Sequence, residues 1–244
     1  MIRDGIDKVE NRIISFLMIG QSNMAGRGEF GQVPPIENEK CHMLRMGRWQ
    51  PMSEPINTDR DILNNEFHSG IGLAASFADE FAKYTGQDVG LIPCADGGTK
   101  LCQWMPGEIL FDHAVFMTKL ALRTSQLGGI LWHQGESDCN AEDVKTYKKR
   151  FIRMITELRR QVGAEELPLI IGELSENITP GWNCGEYPPV MNRIFHEIAE
   201  ELPYCRAVSS KGLTLKPDGI HFDSISCREF GKRYFETFQK VSER

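Results

Sequence analysis

The chain has 244 residues, of which 41% are hydrophobic and 25% charged, so it can build a substantial core without metal or disulfide staples. Asp and Glu outnumber Lys and Arg by 34 to 28, and the net charge of -6 argues against a nucleic-acid partner. No apolar run reaches the roughly 20 residues that span a bilayer, and the polar first eleven residues lack the pattern of an export signal. These features predict a globular cytoplasmic protein without membrane association.

Seven cysteines are spread along the chain at wide and irregular intervals. None forms a Cys-x-x-Cys pair, which argues against thioredoxin chemistry and the common zinc motifs. The odd number and the spacing predict free thiols, most of them buried, in a reducing compartment.

Short apolar segments alternate with longer segments in which apolar residues recur at helical spacing. The predicted strands are 13–19, 89–93, 129–133, 169–174 and 206–209. The predicted helices are 67–84, 111–127, 141–162, 188–202 and 224–241. Between 27 and 65 the chain is rich in Pro, Gly and Asn, which predicts a loop-rich insertion with one short strand at 41–44.

Continuous apolar strands separated by amphipathic helices indicate a parallel sheet that is covered on both faces. Sheets of this kind bind ligands at the carboxyl ends of their strands. Residues with a chemical function are therefore expected directly after the predicted strands.

The first such block, GQSNMAG at 20–26, follows the first predicted strand. A serine at a strand-to-helix turn exposes its hydroxyl while nearby backbone N–H groups can face an oxyanion, which makes Ser22 a candidate nucleophile. The alternative is that Ser22 is a helix N-cap. After the second strand, the pair Gly97 and Gly98 predicts either a close backbone approach to a ligand or an ordinary turn.

Two further blocks carry ionisable residues. WHQGESD at 132–138 follows the third strand, where so many polar groups are costly unless they are used or form a structural hydrogen-bond network. His133 in this block fits a structural role as well as a catalytic one. Near the C-terminus, Asp218 precedes His221 by three residues across a glycine, so its carboxylate can fold back onto the ring Nδ1–H and leave Nε2 for a serine. A loop histidine within a turn is the alternative.

Together these blocks supply a nucleophile, oxyanion donors, a base and an orienting acid, which are the parts of an acyl-transfer site. At GQSNMAG (20–26), GGTKL (97–101), WHQGESD (132–138) and DGIHF (218–222) the chain resembles the SGNH hydrolases. More narrowly, it is similar to the sialate O-acetylesterase domain family, which includes the acetylxylan esterases of carbohydrate esterase family six.

The resemblance implies one domain over 1–244, with 1–11 as an N-terminal extension, and a three-layer α/β/α fold around a parallel sheet of about five strands. It also implies hydrolysis of acetyl esters on carbohydrates without a metal or other cofactor. Ser22 is the implied nucleophile and His221 the general base. The natural sugar and the oligomeric state stay open.

The remaining roles are also implied by the resemblance. The backbone N–H groups of Ser22 and of Gly97 or Gly98 would form the oxyanion hole, completed by the side chain of Gln134 where most SGNH enzymes have an asparagine. Asp218 is the favoured orienting acid, with Glu136 as its partner or substitute. The residues that flank the nucleophile, Gln21 and Asn23, are assigned to substrate binding.

Two other functions fit the same resemblance. One is a carbohydrate-binding module that kept the fold without the chemistry, and the other is a lipase-like or thioesterase-like enzyme. The presence of every matched polar residue disfavours the first. Three tryptophans in loop-like segments are expected to pack in the core or against loops, with stacking on a sugar ring as the alternative: Trp49, Trp104 and Trp182.

Overall fold

A seven-stranded sheet lies between two layers of helices in the computed structural model, which describes residues 12–57, 68–179 and 184–242. The strands are β1 (Ile13–Gly20), β2 (Cys41–Arg45), β3 (Arg48–Pro51), β4 (Val89–Pro93), β5 (Ser125–His133), β6 (Leu169–Gly172) and β7 (Cys205–Val208). The helices are α1 (Ser22–Ala25), α2 (Leu73–Thr85), α3 (Ile109–Ala121), α4 (Val144–Val162), α5 (Pro188–Glu201) and α6 (Ser224–Ser242). Short 3₁₀ turns occur at Leu101–Trp104 and Glu136–Asp138.

The strand order is β3-β2-β4-β1-β5-β6-β7, so that β1 lies in the middle of the sheet. All neighbouring strands are parallel except β2 and β3, which form an antiparallel hairpin. The chain passes from β4 to β5 across β1, which creates a switch point in strand order beside β1. Open parallel sheets bind ligands at the carboxyl ends of the strands at such a point.

The two helical layers bury opposite faces of the same strands. In β1, Phe16 and Met18 pack with α2 and α6, whereas Leu17 and Ile19 pack with α3, α4 and α5. Because a central strand is covered on both sides, its sequence is continuously apolar rather than alternating. The predicted three-layer α/β/α architecture is confirmed.

Most predicted elements lie close to their observed bounds. The strand Val89–Pro93 is identical to its prediction, and the helices predicted at 188–202 and 224–241 end within one residue of theirs. The helix predicted at 141–162 begins later, at Val144. The strand predicted at 169–174 ends at Gly172, and the one predicted at 206–209 lies one residue earlier.

The prediction of one helix over 111–127 is wrong at its C-terminal end. The helix stops at Ala121, and Ser125 already begins β5, where it pairs with Ile13 at the start of β1. Strand β1 offers backbone partners along its whole length, and this pairing overrides the local helical spacing of the segment.

The helix predicted at 67–84 also begins too early, because its first residues pair with another segment. Gly28 and Ile71 form an isolated antiparallel bridge, and Gly72 is the extended residue that precedes Leu73. Residue 67 itself lies outside the described residues.

The insertion holds more structure than expected. The predicted strand at 41–44 is present as β2, but a second strand, β3, follows it and was not predicted. The hairpin turns through Met46 and Gly47, which both have positive φ, 51° and 74°. Two successive residues with positive φ form a type I′ turn, which the sequence Asn-Gly usually predicts. Here the exposed Met46 takes the place of the asparagine, so the sequence did not indicate this turn. With β3 and β2 the sheet has seven strands rather than the five expected.

The two described tryptophans pack within the protein, and most of the cysteines are buried. Trp104 is 1% exposed and donates from its indole N–H to Thr99 Oγ1 at 3.0 Å, and Trp49 lies against Gly90 on the sheet. Trp182 lies outside the described residues. The cysteines are free and all but Cys102 are buried, as predicted. No helix among the described residues is long and apolar enough to cross a membrane.

Candidate active site

Ser22 stands at the carboxyl end of the central strand, as its position after β1 predicts. The backbone N–H of Gln21 donates to His133 O on β5 at 2.9 Å, and Gln21 O accepts the N–H groups of Met24 and Ala25 at 3.0 Å each. Ser22 is therefore the first residue of α1 and not its N-cap, and no side chain caps this helix. Its hydroxyl is free to take part in a different interaction.

That interaction is a chain of hydrogen bonds from Ser22 to His221 and Asp218. His221 Nε2 lies 3.0 Å from Ser22 Oγ, and His221 Nδ1 lies 3.0 Å from Asp218 Oδ2. The second oxygen, Oδ1, accepts the backbone N–H groups of His221 at 3.0 Å and Ile220 at 3.1 Å. Partial burial alone would raise the pKa of the Asp218 carboxyl, but these hydrogen bonds with His221 and Ile220 hold it below its usual value.

The loop that carries His221 is tied to α1 by Asn23. Asn23 Nδ2 donates to Ile220 O at 3.2 Å, and Asn23 Oδ1 accepts the N–H of Phe222 at 3.1 Å. These two hydrogen bonds hold the backbone on both sides of His221 and so fix the distance of His221 from Ser22. The side chain of Asn23 is thus used within the protein, and its predicted contact with substrate does not fit this geometry.

Glu136 contacts a different histidine from the one expected. Its Oε1 lies 3.2 Å from His133 Nε2 and accepts Asn23 Nδ2 at 2.6 Å. Burial opposes the charge on this carboxyl, but His133 and Asn23 outweigh it and hold its pKa below the usual value. In this geometry Asp218, and not Glu136, lies on His221; Glu136 reaches the His221 loop only through Asn23.

Gln134 does not lie where an oxyanion donor is required. Its side chain is fully buried, and Nε2 donates to Thr99 O at 3.0 Å and to Asp138 Oδ2 at 2.6 Å. Its Oε1 accepts the hydroxyl of Tyr147 at 2.8 Å. Since both amide hydrogens have acceptors, the expectation that Gln134 completes the oxyanion hole is wrong for this geometry.

Instead, Gln134 and Asp138 hold the glycine loop in place. Asp138 Oδ2 also accepts the backbone N–H of Leu101 at 2.7 Å, so the segment that follows Gly98 is bound at two points. Gly98 has a φ of +73°, a conformation that favours glycine, and it borders the cavity in front of Ser22. Gly97 is buried and does not line that cavity.

A small cavity of about 140 Å³ opens in front of the Ser22 hydroxyl. Five of the residues singled out in the sequence line it: Gln21, Ser22, Gly98, Glu136 and His221. Three others line it without having been predicted: Arg27, Ser137 and Ile220. Each of these directly follows or lies inside a matched block, but its residue type carried no signal of its own. Among the described residues no three His, Cys, Asp or Glu side chains are grouped to hold a metal ion.

A doubly covered, mostly parallel sheet with a Ser–His–Asp chain at its carboxyl edge is the arrangement of the SGNH hydrolases. Within that class the chain belongs to the SASA family, described as carbohydrate esterase, sialic acid-specific acetylesterase, whose model matches residues 13–240.

Relatives of known structure have the same fold. A probable carbohydrate esterase of Arabidopsis thaliana, At4g34215, is 29% identical over 236 residues, which cover 88% of this chain and 86% of the relative. Its X-ray structure matches with a TM-score of 0.82 at 26% identity, covering 96% of this chain and 99% of that one. NanS matches with a TM-score of 0.71 at 17% identity, covering 96% and 99%. A carbohydrate acetylesterase from Xanthomonas citri matches at 0.60 and 18%, covering 94% of this chain and 56% of that protein.

Proposed function

We propose that this protein is a serine esterase that removes acetyl groups from acetylated carbohydrates through an acetyl-Ser22 intermediate. The observation that carries the proposal is the chain from Ser22 Oγ to His221 Nε2 and from His221 Nδ1 to Asp218 Oδ2, with both distances 3.0 Å. A base within hydrogen-bond reach of a nucleophile, itself oriented by a carboxylate, is the geometry that activates a serine.

In the first step Ser22 Oγ attacks the acetyl carbonyl carbon while its proton passes to His221 Nε2. Asp218 accepts the hydrogen bond from Nδ1–H and stabilises the imidazolium that forms. The backbone N–H groups of Ser22 and Gly98 stabilise the oxyanion. As the carbonyl re-forms, the bond to the sugar oxygen breaks and His221 returns the proton to that oxygen.

In the second step water attacks the acetyl-serine. His221 takes a proton from the water, the acyl–Oγ bond breaks, and the proton returns to Ser22 Oγ as acetate is released. Glu136 contributes through Asn23, which connects it to the backbone on both sides of His221. Its role is to position the base, because it contacts His133 and Asn23 rather than His221.

The cavity supports a short acyl group. Its volume of about 140 Å³ is well below the roughly 300–1,000 Å³ of pockets that enclose a drug-sized ligand. An acetyl group fits such a space, whereas a lipase or thioesterase needs an extended apolar groove for its acyl chain. The sugar would then lie outside the cavity, where the family's description favours acetylated sialic acid and the wider resemblance favours acetylated xylan fragments.

The first test measures release of p-nitrophenol from the acetate and butyrate esters by the wild type and by Ser22→Ala. We expect turnover of acetate well above butyrate and a loss of roughly 10³-fold or more in Ser22→Ala, because the attacking oxygen is gone. Thermal unfolding of both proteins checks that Ser22→Ala is folded.

Acetate release from acetylated xylo-oligosaccharides and from O-acetylated sialic acid then identifies the sugar. Wild-type turnover that survives in a folded Ser22→Ala would refute the mechanism. Binding of these sugars without any acetate release would instead assign the protein to the carbohydrate-binding modules. Butyrate turnover equal to that of acetate would favour a lipase-like or thioesterase-like enzyme.

A further inference from the structure

Lys216 opens the loop that carries both Asp218 and His221. An antiparallel bridge between Leu215 and Phe222 closes this loop at its two ends. One residue further into the loop, the backbone N–H of Lys216 donates to His221 O at 2.7 Å. The backbone of Lys216 is therefore hydrogen-bonded to that of the general base, whereas its side chain has no part in the mechanism described so far.

The Lys216 side chain crosses from this loop to the segment that follows the nucleophile. Its Nζ donates to Arg27 O at 3.0 Å. Arg27 comes directly after the GQSNMAG block and lines the cavity in front of Ser22. Only 21% of the Lys216 side chain is exposed, so its aliphatic stem is held against the protein and the position of Nζ is restricted. The ammonium group thus joins the loop of the base to the segment of the nucleophile.

This contact complements the one made by Asn23. Asn23 holds the loop on its C-terminal side, through Ile220 O and the N–H of Phe222. Lys216 holds the loop on its N-terminal side, so Asp218 lies between the two attachments along the chain. A loop that is attached on one side can turn about that side, which would move the imidazole relative to the serine hydroxyl.

A third hydrogen bond reaches the loop from the opposite direction. The N–H of Thr179 donates to Gly219 O at 2.8 Å. Thr179 follows β6, so this bond holds the loop against the far side of the site without joining it to the segment of Ser22. The attachments by Asn23 and Lys216 make that second connection.

The charge of Lys216 has a smaller effect than its attachment to Arg27. Nζ lies 3.8 Å from Asp218 Oδ2 and 3.8 Å from Glu29 Oε1. These two carboxylate side chains are 31% and 56% exposed, so water screens both interactions and each contributes little. The contact with Arg27 O is shorter, at 3.0 Å, and it connects two backbone segments of the site.

We propose that Lys216 is a positioning residue, whose ammonium group holds the loop of Asp218 and His221 in place against the segment that follows Ser22. The inference rests on the proposed serine esterase function. Lys216 does not line the cavity, so it acts through the distance between His221 Nε2 and Ser22 Oγ. A displacement of about 1 Å in a catalytic group can cost roughly 10²-fold in rate, and this loss falls on kcat rather than on binding of the ester.

The kinetic test compares Lys216→Met, which keeps an unbranched stem and removes the donor, with Lys216→Arg, which keeps a charged donor. We expect kcat for p-nitrophenyl acetate to fall about 10-fold or more in Lys216→Met, with KM nearly unchanged. Lys216→Arg should keep kcat within about threefold of the wild type, because either cation can donate to a single carbonyl oxygen. Lys211→Met, at an exposed position after β7, is the matched control and should keep the wild-type kcat. Thermal unfolding checks that each variant is folded.

A second experiment needs no substrate. The backbone N–H groups of Ile220 and His221 donate to Asp218 Oδ1 at 3.1 and 3.0 Å, and their exchange with solvent reports how often the loop opens. In ¹⁵N–¹H spectra these two amides should exchange about 10-fold faster in Lys216→Met than in the wild type or in Lys216→Arg. The amide of Leu91 in the buried strand β4 should exchange at the wild-type rate in all three proteins.

The outcomes separate this inference from the proposed function. Wild-type kcat in Lys216→Met, with Ser22→Ala inactive, would overturn the role of Lys216 and leave the serine mechanism standing. Equal losses of kcat in Lys216→Met and Lys216→Arg would overturn it too, as would unchanged exchange of the Ile220 and His221 amides in Lys216→Met. A wild type that hydrolyses no acetyl ester would refute the proposed function itself, and amide exchange would still test the attachment.

Discussion

The protein holds two histidine–carboxylate pairs with the same spacing along the chain and very different surroundings. His221 and Asp218 lie three residues apart on a surface loop, with 3.0 Å between Nδ1 and Oδ2. His133 and Glu136 also lie three residues apart, with 3.2 Å between Nε2 and Oε1, but both side chains are almost completely buried. Only the first pair reaches Ser22, so the placement of the two pairs separates them and their residue types do not.

The sheet explains the difference. His133 is the last residue of β5, so its ring is enclosed by the α6 layer, where Phe222 and Phe230 pack edge-on against it. Its Nδ1 lies 3.4 Å from the Tyr234 hydroxyl, which donates to Trp132 O at 2.8 Å. His221 belongs to the loop before α6 and keeps one face toward the cavity. The buried pair is thus suited to support the scaffold, and the loop pair to transfer protons.

Replacing each histidine in turn by a residue that does not ionise gives the largest expected effects on kcat and on the free energy of unfolding. His221→Gln should lower kcat by roughly 10³-fold or more while the free energy of unfolding changes by less than about 1 kcal/mol, because a partly exposed pair contributes little to stability. His133→Leu should instead lower the free energy of unfolding by about 3–5 kcal/mol, because it leaves the Glu136 carboxylate buried without its partner. Acetate-ester kinetics and urea unfolding measure the two quantities.

The contrast fails if both variants lose mainly activity or both lose mainly stability. Where His133→Leu is too unstable to purify, His133→Gln keeps one donor toward Glu136. It should show a smaller loss of stability in the same direction. An unfolding midpoint of His133→Gln equal to that of the wild type would show that the buried pair does not support the scaffold.

Removing the orienting carboxylate is expected to have the next largest effect. Asp218→Asn should lower kcat by about 10²–10⁴-fold, because an amide that donates to Nδ1 favours the tautomer with a hydrogen on Nε2, which then cannot accept the serine proton. Glu136→Gln should lower kcat less than about 10-fold, since it acts through Asn23. A larger loss of kcat in Glu136→Gln than in Asp218→Asn would reverse these roles.

The sequence was sufficient for the placement of the functional blocks because parallel strands end at one edge of the sheet. Ser22, Gly98, Glu136 and His221 are brought together there as the strand rule predicts. The boundaries that were missed depended on distant partners. Ser125 is a strand residue because it pairs with β1. The helix α2 begins later than predicted because Ile71 pairs with Gly28.

The roles of the individual amides could not be read from the sequence. Gln21, Asn23 and Gln134 are all amides in matched blocks, and each has the same donors and acceptors. What separates them is whether a neighbouring backbone or carboxylate already uses those groups. Gln134 faces Thr99 O and Asp138, Asn23 faces the His221 loop, and only Gln21 faces the cavity.

The buried pair also predicts a modest dependence of stability on pH. His133 and Asn23 outweigh burial and hold the pKa of the folded Glu136 carboxyl below its unfolded value of about 4.3, so below that pH the unfolded state binds more protons than the folded state. The stability supplied by this carboxylate is therefore complete above about pH 4.3 and is lost as the pH falls through the folded pKa.

Glu136→Gln removes that titration. Between about pH 5 and pH 3 the free energy of unfolding should fall less steeply in Glu136→Gln than in the wild type, by up to about 1.4 kcal/mol per pH unit. Urea unfolding at several pH values gives the two curves. Glu166→Gln, at an exposed position, is the matched control for the loss of one carboxylate. Parallel curves for the wild type and Glu136→Gln would mean that His133 does not stabilise the Glu136 charge. The resemblance between the two histidine–carboxylate pairs would then be one of geometry alone.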